Sequence, residues 1–433
     1  MNRNWSRLII GMTGRKTNLF EVNKEYSGRC GICTGCGRCK EIHRDVKVLV
    51  NFLHEGRLLN SHEEKTASGN AGAGKDIALG IDLGTTTIAM VCYNKENGTE
   101  EYFTAVNPQI QYGQDVLSRI EASEDSKIAE ELRRLVTEVL EMGVRKLLDK
   151  FEPVNSEVSM VLSGNTTMLY LLKGLPAEKL GRAPFTLEHK DVDVISLAGY
   201  RCVCVPVISA FVGGDVLTGL WTNRVMEKPG TVLYLDLGTN GEIGLKTSDG
   251  LFVTATAAGP AFEGGPCNGV WGADMVHLLA GLLRNRIVDA TGLLDDLYFE
   301  KGIITEGVCI TQEAVRAFQT AKGAIRAGIE VLLRKAGINA EDITEVLLAG
   351  GFGYFLNPSE AVSTGLLPEI LADKARAVGN ASLQGALEAA QTWSNADDIR
   401  SEWKKLCDGA QVVNLAMDEE FQELFIGNLN FPE

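Results

Sequence analysis

Nowhere in the 433-residue sequence is there an apolar run of about 18 residues, the length a membrane-spanning helix needs. The short stretch Leu8-Ile9-Ile10-Gly11-Met12 falls short of a signal-peptide core and is followed by Arg15 and Lys16, so a cytoplasmic protein is expected. A basic surplus is missing as well: 42 Lys and Arg face 57 Asp and Glu, for a net charge of −15. A surface that tracks phosphates needs clustered cations, so nucleic acid is not an expected partner. Disulfides are not expected either, because ten cysteines in a cytosolic chain remain reduced.

What is present is the balance of a soluble globular protein, 45% apolar and 23% charged. The length exceeds one ordinary core, so two or three packed units are expected. Residues 1–65 hold the cysteine cluster, and Val46–Leu53 carries apolar residues at Val46, Val48, Val50 and Phe52. Thr66–Lys75, TASGNAGAGK, reads as a flexible linker within residues 66–76. From there on, apolar runs alternate with amphipathic segments, the pattern of an α/β fold. IALGIDLG reads as a buried strand with TTTIAMVCY as its hairpin partner. Lys127–Lys150 reads as an amphipathic helix with Ile128, Leu132, Leu135, Val139, Met142 and Val144 on one face, and Gln312–Lys335 reads likewise.

The turn Asp82-Leu83-Gly84-Thr85 recurs as Asp236-Leu237-Gly238-Thr239, each time after an apolar strand. The repeat is too distant for a solenoid and points to two related lobes. In such a turn the Asp at the strand end reaches a metal ion or its bound water. The glycine permits close backbone approach, and the residues around it turn N–H and hydroxyl groups toward phosphate oxygens. Two turns facing each other can clamp a triphosphate with Mg²⁺ between them. A third element, VLLAGGFGYF, is a buried strand followed by Gly350, Gly351, Phe352 and Gly353, a bare surface for adenine and ribose.

These three elements in this order resemble the acetate and sugar kinase/Hsp70/actin superfamily. The resemblance implies two duplicated lobes of RNase H-like topology, residues 77–210 and 211–433, hinged over ATP. It puts a first phosphate motif at Asp82–Thr87 (Gly84, Thr85, Thr86, Thr87) and a second at Asp236–Glu242 (Gly238, Thr239, Asn240, Gly241). The adenosine motif falls at Gly350–Gly353. It further implies that a carboxylate upstream of the second motif positions the attacking water, which selects Asp215 in VGGD. A helix N-cap is the alternative for that residue, since LTGLW follows.

The run Cys30-Gly-Ile-Cys33-Thr-Gly-Cys36-Gly-Arg-Cys39 places a thiolate at every third position of a glycine-loosened loop. Ferredoxin-type [4Fe–4S] loops use C-x₂-C-x₂-C for three ligands. Here the fourth cysteine comes one residue early and no proline follows. Zinc is the alternative occupant, though structural zinc usually divides its ligands between two separated pairs. Cys202 and Cys204 alternate on an apparent strand and read as buried thiols on one face.

The segments IDLGTTT, LSGNTTM, VGGD, LDLGTNGEIGL, AAGPAFEGG, QTAKGAIRAGI and LLAGGFGYFLNP resemble the ATPase domain of reductive activators of corrinoid proteins, over nearly all of residues 77–380. That resemblance implies ATP-driven reduction of an inactive Co(II) corrinoid to Co(I). The implied partner is a corrinoid protein or a corrinoid-dependent methyltransferase component, with a low-potential donor such as ferredoxin or flavodoxin, in a possible homodimer. The N-terminus departs from the family pattern, for the plant-type C-x₄-C-x₂-C spacing is missing and the compact run stands in its place. Three other readings remain at this point: an activator of a 2-hydroxyacyl-CoA dehydratase or benzoyl-CoA reductase, a small-molecule kinase with a structural metal, and an ATP-dependent scaffold.

Overall fold

The computed structural model describes residues 76–151, 157–238, 240–256, 272–305, 308–392 and 396–432. The cysteine run, the linker, Thr239 and the AAGPAFEGG segment lie outside the described residues.

The described chain opens with an antiparallel meander of β1 (Asp76–Leu83), β2 (Thr87–Asn94) and β3 (Glu100–Val106). Helix α1 (Ser126–Phe151) then carries the chain back to β4 (Glu157–Gly164), parallel to β1. Helix α2 (Thr166–Lys173), the antiparallel pair β5 (Asp193–Leu197) and β6 (Tyr200–Cys204), and helix α3 (Gly214–Thr222) complete the first half. The strand order is β3-β2-β1-β4-β6-β5.

The second half repeats the plan. Its meander is β7 (Thr231–Leu237), β8 (Gly241–Thr247) and β9 (Gly250–Thr256). An insertion follows, with α4 (Gly272–Arg284) and the small hairpin β10 (Ile303–Thr305) and β11 (Val308–Ile310). Helix α5 (Gln312–Ala336) leads to β12 (Ile343–Ala349), parallel to β7, and the short helix α6 (Gly350–Phe355) starts at its end. Then come β13 (Ala375–Gly379), α7 (Ala381–Gln391), α8 (Ala396–Gly409), the edge strand β14 (Ala410–Val412) and α9 (Glu419–Gly427). The order here is β13-β12-β7-β8-β9-β14, so the strands of the two sheets correspond one to one through the meander and the two parallel strands beside it.

Local sequence accounts for the elements. In α1, Leu132, Val136, Val139, Leu140, Val144 and Leu147 recur at three- and four-residue intervals and are buried, forming one apolar stripe. Helix α5 begins where Thr311 caps the Ala314 N–H and ends where Gly337 takes a left-handed φ of 67°. Among the described residues no helix is long and apolar enough to cross a membrane.

The molecule has three apolar layers. The first sheet buries its outer face against α1 and α2, and the second buries its outer face against α4 and α5. Between the two sheets lies a third cluster built on α3 and α7 together with inward residues of both sheets, such as Ala78, Val161, Val232 and Leu347. Helix α7 lies so close to β1 that a Cβ on Gly80 would stand 2.6 Å from the Leu387 nitrogen. Each buried Leu, Ile or Val in such a layer contributes roughly 1.5–3 kcal/mol. The helices between the sheets therefore fasten the two halves and locate the strand ends that face each other.

Candidate functional site

Both repeated turns stand at the same end of their sheets. In the first, the Gly84 N–H donates to the Thr87 carbonyl at 2.9 Å, closing a tight turn between β1 and β2. A Cβ on Gly84 would stand 2.8 Å from that carbonyl oxygen, so only glycine fits. Asn107 braces the turn by donating to the Gly84 carbonyl at 2.9 Å, and Asn165, the N-cap of α2, donates to the Thr85 hydroxyl at 2.7 Å. Thr85 and Thr86 are buried beside Asp82.

The second turn lies between β7 and β8, where the Gly238 N–H donates to the Asn240 carbonyl at 2.9 Å. Gly241 begins β8, with Ile325 of α5 and the Thr256 hydroxyl pressed against its backbone. Gly350, at φ +78°, packs on this turn: a Cβ there would lie 2.7 Å from Asp236 Oδ1 and 2.8 Å from the Leu237 carbonyl. The expected adenosine element thus adjoins the second phosphate turn. Gly351 is part-exposed in α6, while Gly353 packs on Leu348. Phe352 is 8% exposed and belongs to the outer core, with its ring against Gly272.

Asp215 lies in the first turn of α3, with Gly213 rather than Asp215 as the N-cap. Its Oδ1 accepts the Val216 N–H at 2.8 Å. Asp82, at the end of β1, accepts from Asn380 Nδ2 at 2.9 Å and from Ser382 Oγ at 2.7 Å. Asp236 has the Tyr234 hydroxyl at 3.4 Å. Across the β7–β8 ladder from Asp236 stands Glu242, buried, a fourth carboxylate that the motif reading did not single out. Its signal in the sequence is the acidic residue closing the segment DLGTNGE, at the ladder position opposite the Asp.

Burial raises the pKa of all four carboxylates, and neighbouring negative charge adds to the shift on Asp215, Asp236 and Glu242. Burial pushes Asp215 up to about 8, and the negative charge of Asp236 adds to the shift. Burial likewise pushes Asp236 up to about 7, with the Asp82 charge adding and the Tyr234 hydroxyl opposing. Asp82 is raised by burial against its two side-chain hydrogen bonds, and Glu242 by burial and then by Asp215 and Asp236. Among the described residues no Lys, Arg or His contributes to these four environments. Buried, uncompensated negative charge of this kind suits a cation. Among the described residues no group of three or more His, Cys, Asp or Glu is spaced to cage a metal. An ion here would therefore take part of its shell from water and phosphate, as Mg²⁺ does.

A cavity of about 440 Å³ opens beside the turns, on the β9 side away from Gly350. Asn165, Thr166 and Phe211 line it from the first half, and Asn240, Thr256 and Leu415 from the second; none of the described lining residues is charged. Cys202 and Cys204 are buried on one face of β6, and burial pushes Cys204 up to about 12, the behaviour of inert thiols.

A model of the RACo middle region matches residues 77–228, and a model of the C-terminal domain of RACo, the ASKHA domain, matches 230–268 and 266–433. From residue 77 to its last residue the chain belongs to the RACo family. These RACo domains span both sheets and all three nucleotide-type motifs. The chain is 28% identical to the corrinoid activation enzyme RamQ of Eubacterium limosum, over 82% of this chain and 70% of that one. It is 24% identical to a [Co(II) methylated amine-specific corrinoid protein] reductase of Methanosarcina barkeri, over 54% of this chain and 52% of that one. Among solved structures, a reductive activator for corrinoid, iron-sulfur protein superposes with a TM-score of 0.74 at 26% identity, covering 83% of this chain and 67% of its own. The α/β fold with duplicated ASKHA-type lobes is the one expected from the repeated turns.

Proposed function

We propose that the chain is an ATP-dependent reductive activator that brings the cobalt of a corrinoid protein from Co(II) to Co(I). The observation that carries this reading is the meeting of four carboxylates, Glu242 buried and Asp82, Asp215 and Asp236 half-buried, at the paired turns of the RACo domains. Asp82 and Asp236 hold the Mg²⁺ of Mg-ATP, directly or through its waters, and Asp215 positions the water that attacks the terminal phosphate. The backbone and hydroxyl groups of Gly84–Thr87 and Gly238–Gly241 face the phosphates, and Gly350–Gly353 supports the adenosine.

Cys30, Cys33, Cys36 and Cys39 are four thiolates in one short run, a donor set that suits an iron–sulfur cluster. Bound there, such a cluster would supply one electron at low potential, with ferredoxin or flavodoxin as the donor class that restores it. One electron enters the cobalt and none is consumed by hydrolysis, so ATP contributes work alone. Lobe closure around the nucleotide changes the affinity for the corrinoid partner or the transfer geometry.

The test is to replace Cys33 and Cys36 with Ser and assay anaerobically. Iron–sulfur absorbance and corrinoid reduction should vanish while Mg-ATP hydrolysis persists. Corrinoid reduction by the Cys→Ser protein would refute the cluster as electron carrier.

A further inference from the structure

Asp82 belongs to the first half of the chain, yet both side chains that orient its carboxylate come from the second. Asn380 is the N-cap of α7: its Oδ1 accepts the Leu383 N–H at 2.9 Å while its Nδ2 donates to Asp82 Oδ2 at 2.9 Å. Ser382, in the first turn of the same helix, donates to Asp82 Oδ1 at 2.7 Å. The contact continues inward. Ser382 Oγ lies 3.0 Å from Ser163 Oγ on β4, and Ser163 Oγ lies 2.9 Å from Thr218 Oγ1 on α3. Thr218 Oγ1 also lies 2.8 Å from the Gly214 carbonyl, one residue before Asp215.

The direction of this chain is set by its end. An ionised Asp82 carboxylate only accepts, so the single Ser382 proton points at Asp82, Ser163 donates to Ser382 and Thr218 donates to Ser163. Ser163 and Thr218 are fully buried and Ser382 is 4% exposed, so no water competes for these bonds. Backbone packing holds the same geometry: a Cβ on Gly385 of α7 would stand 2.5 Å from the Thr218 carbonyl of α3. Helices α7 and α3 therefore cannot slide past each other without breaking the relay.

We propose that Ser382 and Asn380 are positioning residues for hydrolysis. The second lobe sets the orientation of Asp82 and, through Ser163 and Thr218, the register of the helix that carries Asp215. The two carboxylates then reach working geometry together, in one arrangement of the lobes. This rests on the assignment of Asp82 and Asp215 to the nucleotide site.

The experiment compares wild type, Asp82→Asn, Ser382→Ala, Ser382→Thr and Ser163→Ala in steady-state Mg-ATP hydrolysis, with KM for ATP and the Mg²⁺ requirement measured for each. Ser382→Ala should lower kcat about tenfold, the loss expected for one hydrogen bond to a charged group, and raise the Mg²⁺ concentration for half-maximal rate. KM for ATP should move less than about threefold, and Ser382→Thr, which keeps the hydroxyl, should recover most of kcat. Ser163→Ala, which leaves the Asp82 bond intact, should show a smaller kcat loss of the same kind, and it decides the matter if Ser382→Ala does not fold. Normal kcat in folded Ser382→Ala, or in folded Ser163→Ala where Ser382→Ala does not fold, with Asp82→Asn inactive, overturns the positioning role alone. Normal hydrolysis by Asp82→Asn overturns the site assignment beneath it.

Discussion

The same four residues, Asp-Leu-Gly-Thr, stand at 82–85 and at 236–239, and their surroundings differ sharply. The first turn is fastened from outside itself: Asn107 holds Gly84, Asn165 holds Thr85, and Asn380 and Ser382 hold Asp82. The second has Gly350 pressed against Asp236, Glu242 across the ladder and the Tyr234 hydroxyl at 3.4 Å. One copy is thus held by hydrogen bonds from four side chains, whereas the other concentrates like charge. A repeated motif fixes the backbone path, but the elements packed around it fix its energetics. On the proposed function, the first turn is prepared for a nucleotide and the second carries an electrostatic cost that a bound cation would relieve.

The sharpest way to break this contrast is at Gly350. Its φ of +78° and the closeness of Asp236 Oδ1 leave no room for a methyl group. Gly350→Ala should reduce Mg-ATP hydrolysis roughly a hundredfold by displacing Asp236, with the protein still folded by circular dichroism. A near-normal rate would mean that Asp236 is not held where the contrast requires.

Asp236→Asn should show the two faces of the second turn in one protein. Hydrolysis should fall at least about tenfold, or about 1.4 kcal/mol in the barrier. The ligand-free protein should nevertheless melt at a higher temperature than wild type at pH 8, because a buried like charge has been removed. Equal or lower Tm would contradict the electrostatic cost.

A third expectation concerns pH. Burial holds Asp215 at about 8 and Asp236 at about 7 in the folded protein, against about 3.9 in an unfolded chain. Across that interval the folded state binds more protons than the unfolded state, so stability falls as the pH rises. The Tm of ligand-free protein should decline between about pH 4 and about pH 8 and level off above that, and Mg-ATP should flatten the decline. A Tm that rises over this range would reverse the sign. The smallest effect belongs to the well-fastened turn: Asn165→Ala should cost about threefold in kcat/KM for ATP, since Asn107 and Asn380 still brace its neighbours.

How much of this was legible beforehand varies along the chain. The β1–β2 hairpin and both long helices were readable because apolar periodicity and glycine are local signals; the expected Lys127–Lys150 and Gln312–Lys335 became Ser126–Phe151 and Gln312–Ala336. Asp82 and Asp236 were readable as strand-end acids and Asp215 through the superfamily resemblance, and burial and mutual charge bring them together. Asn380 and Ser382 gave no such signal. They reach Asp82 from 298 and 300 residues away in the chain, through helix packing that no local pattern encodes. Glu242 was hidden because its role depends on strand register, and the Phe352 ring went to the core because α6 turns it toward Gly272.

The central claim is that lobe chemistry at the paired turns drives reduction of a corrinoid partner. The most direct measurement follows the corrinoid spectrum under anaerobic conditions with a low-potential reductant, with and without Mg-ATP, for wild type and Asp236→Asn. Wild type should bring the Co(II) corrinoid protein to Co(I) only when Mg-ATP is present, and Asp236→Asn should keep a reducible cluster yet leave the cobalt at Co(II). Reduction by Asp236→Asn at the wild-type rate, or by wild type without nucleotide, would contradict the account.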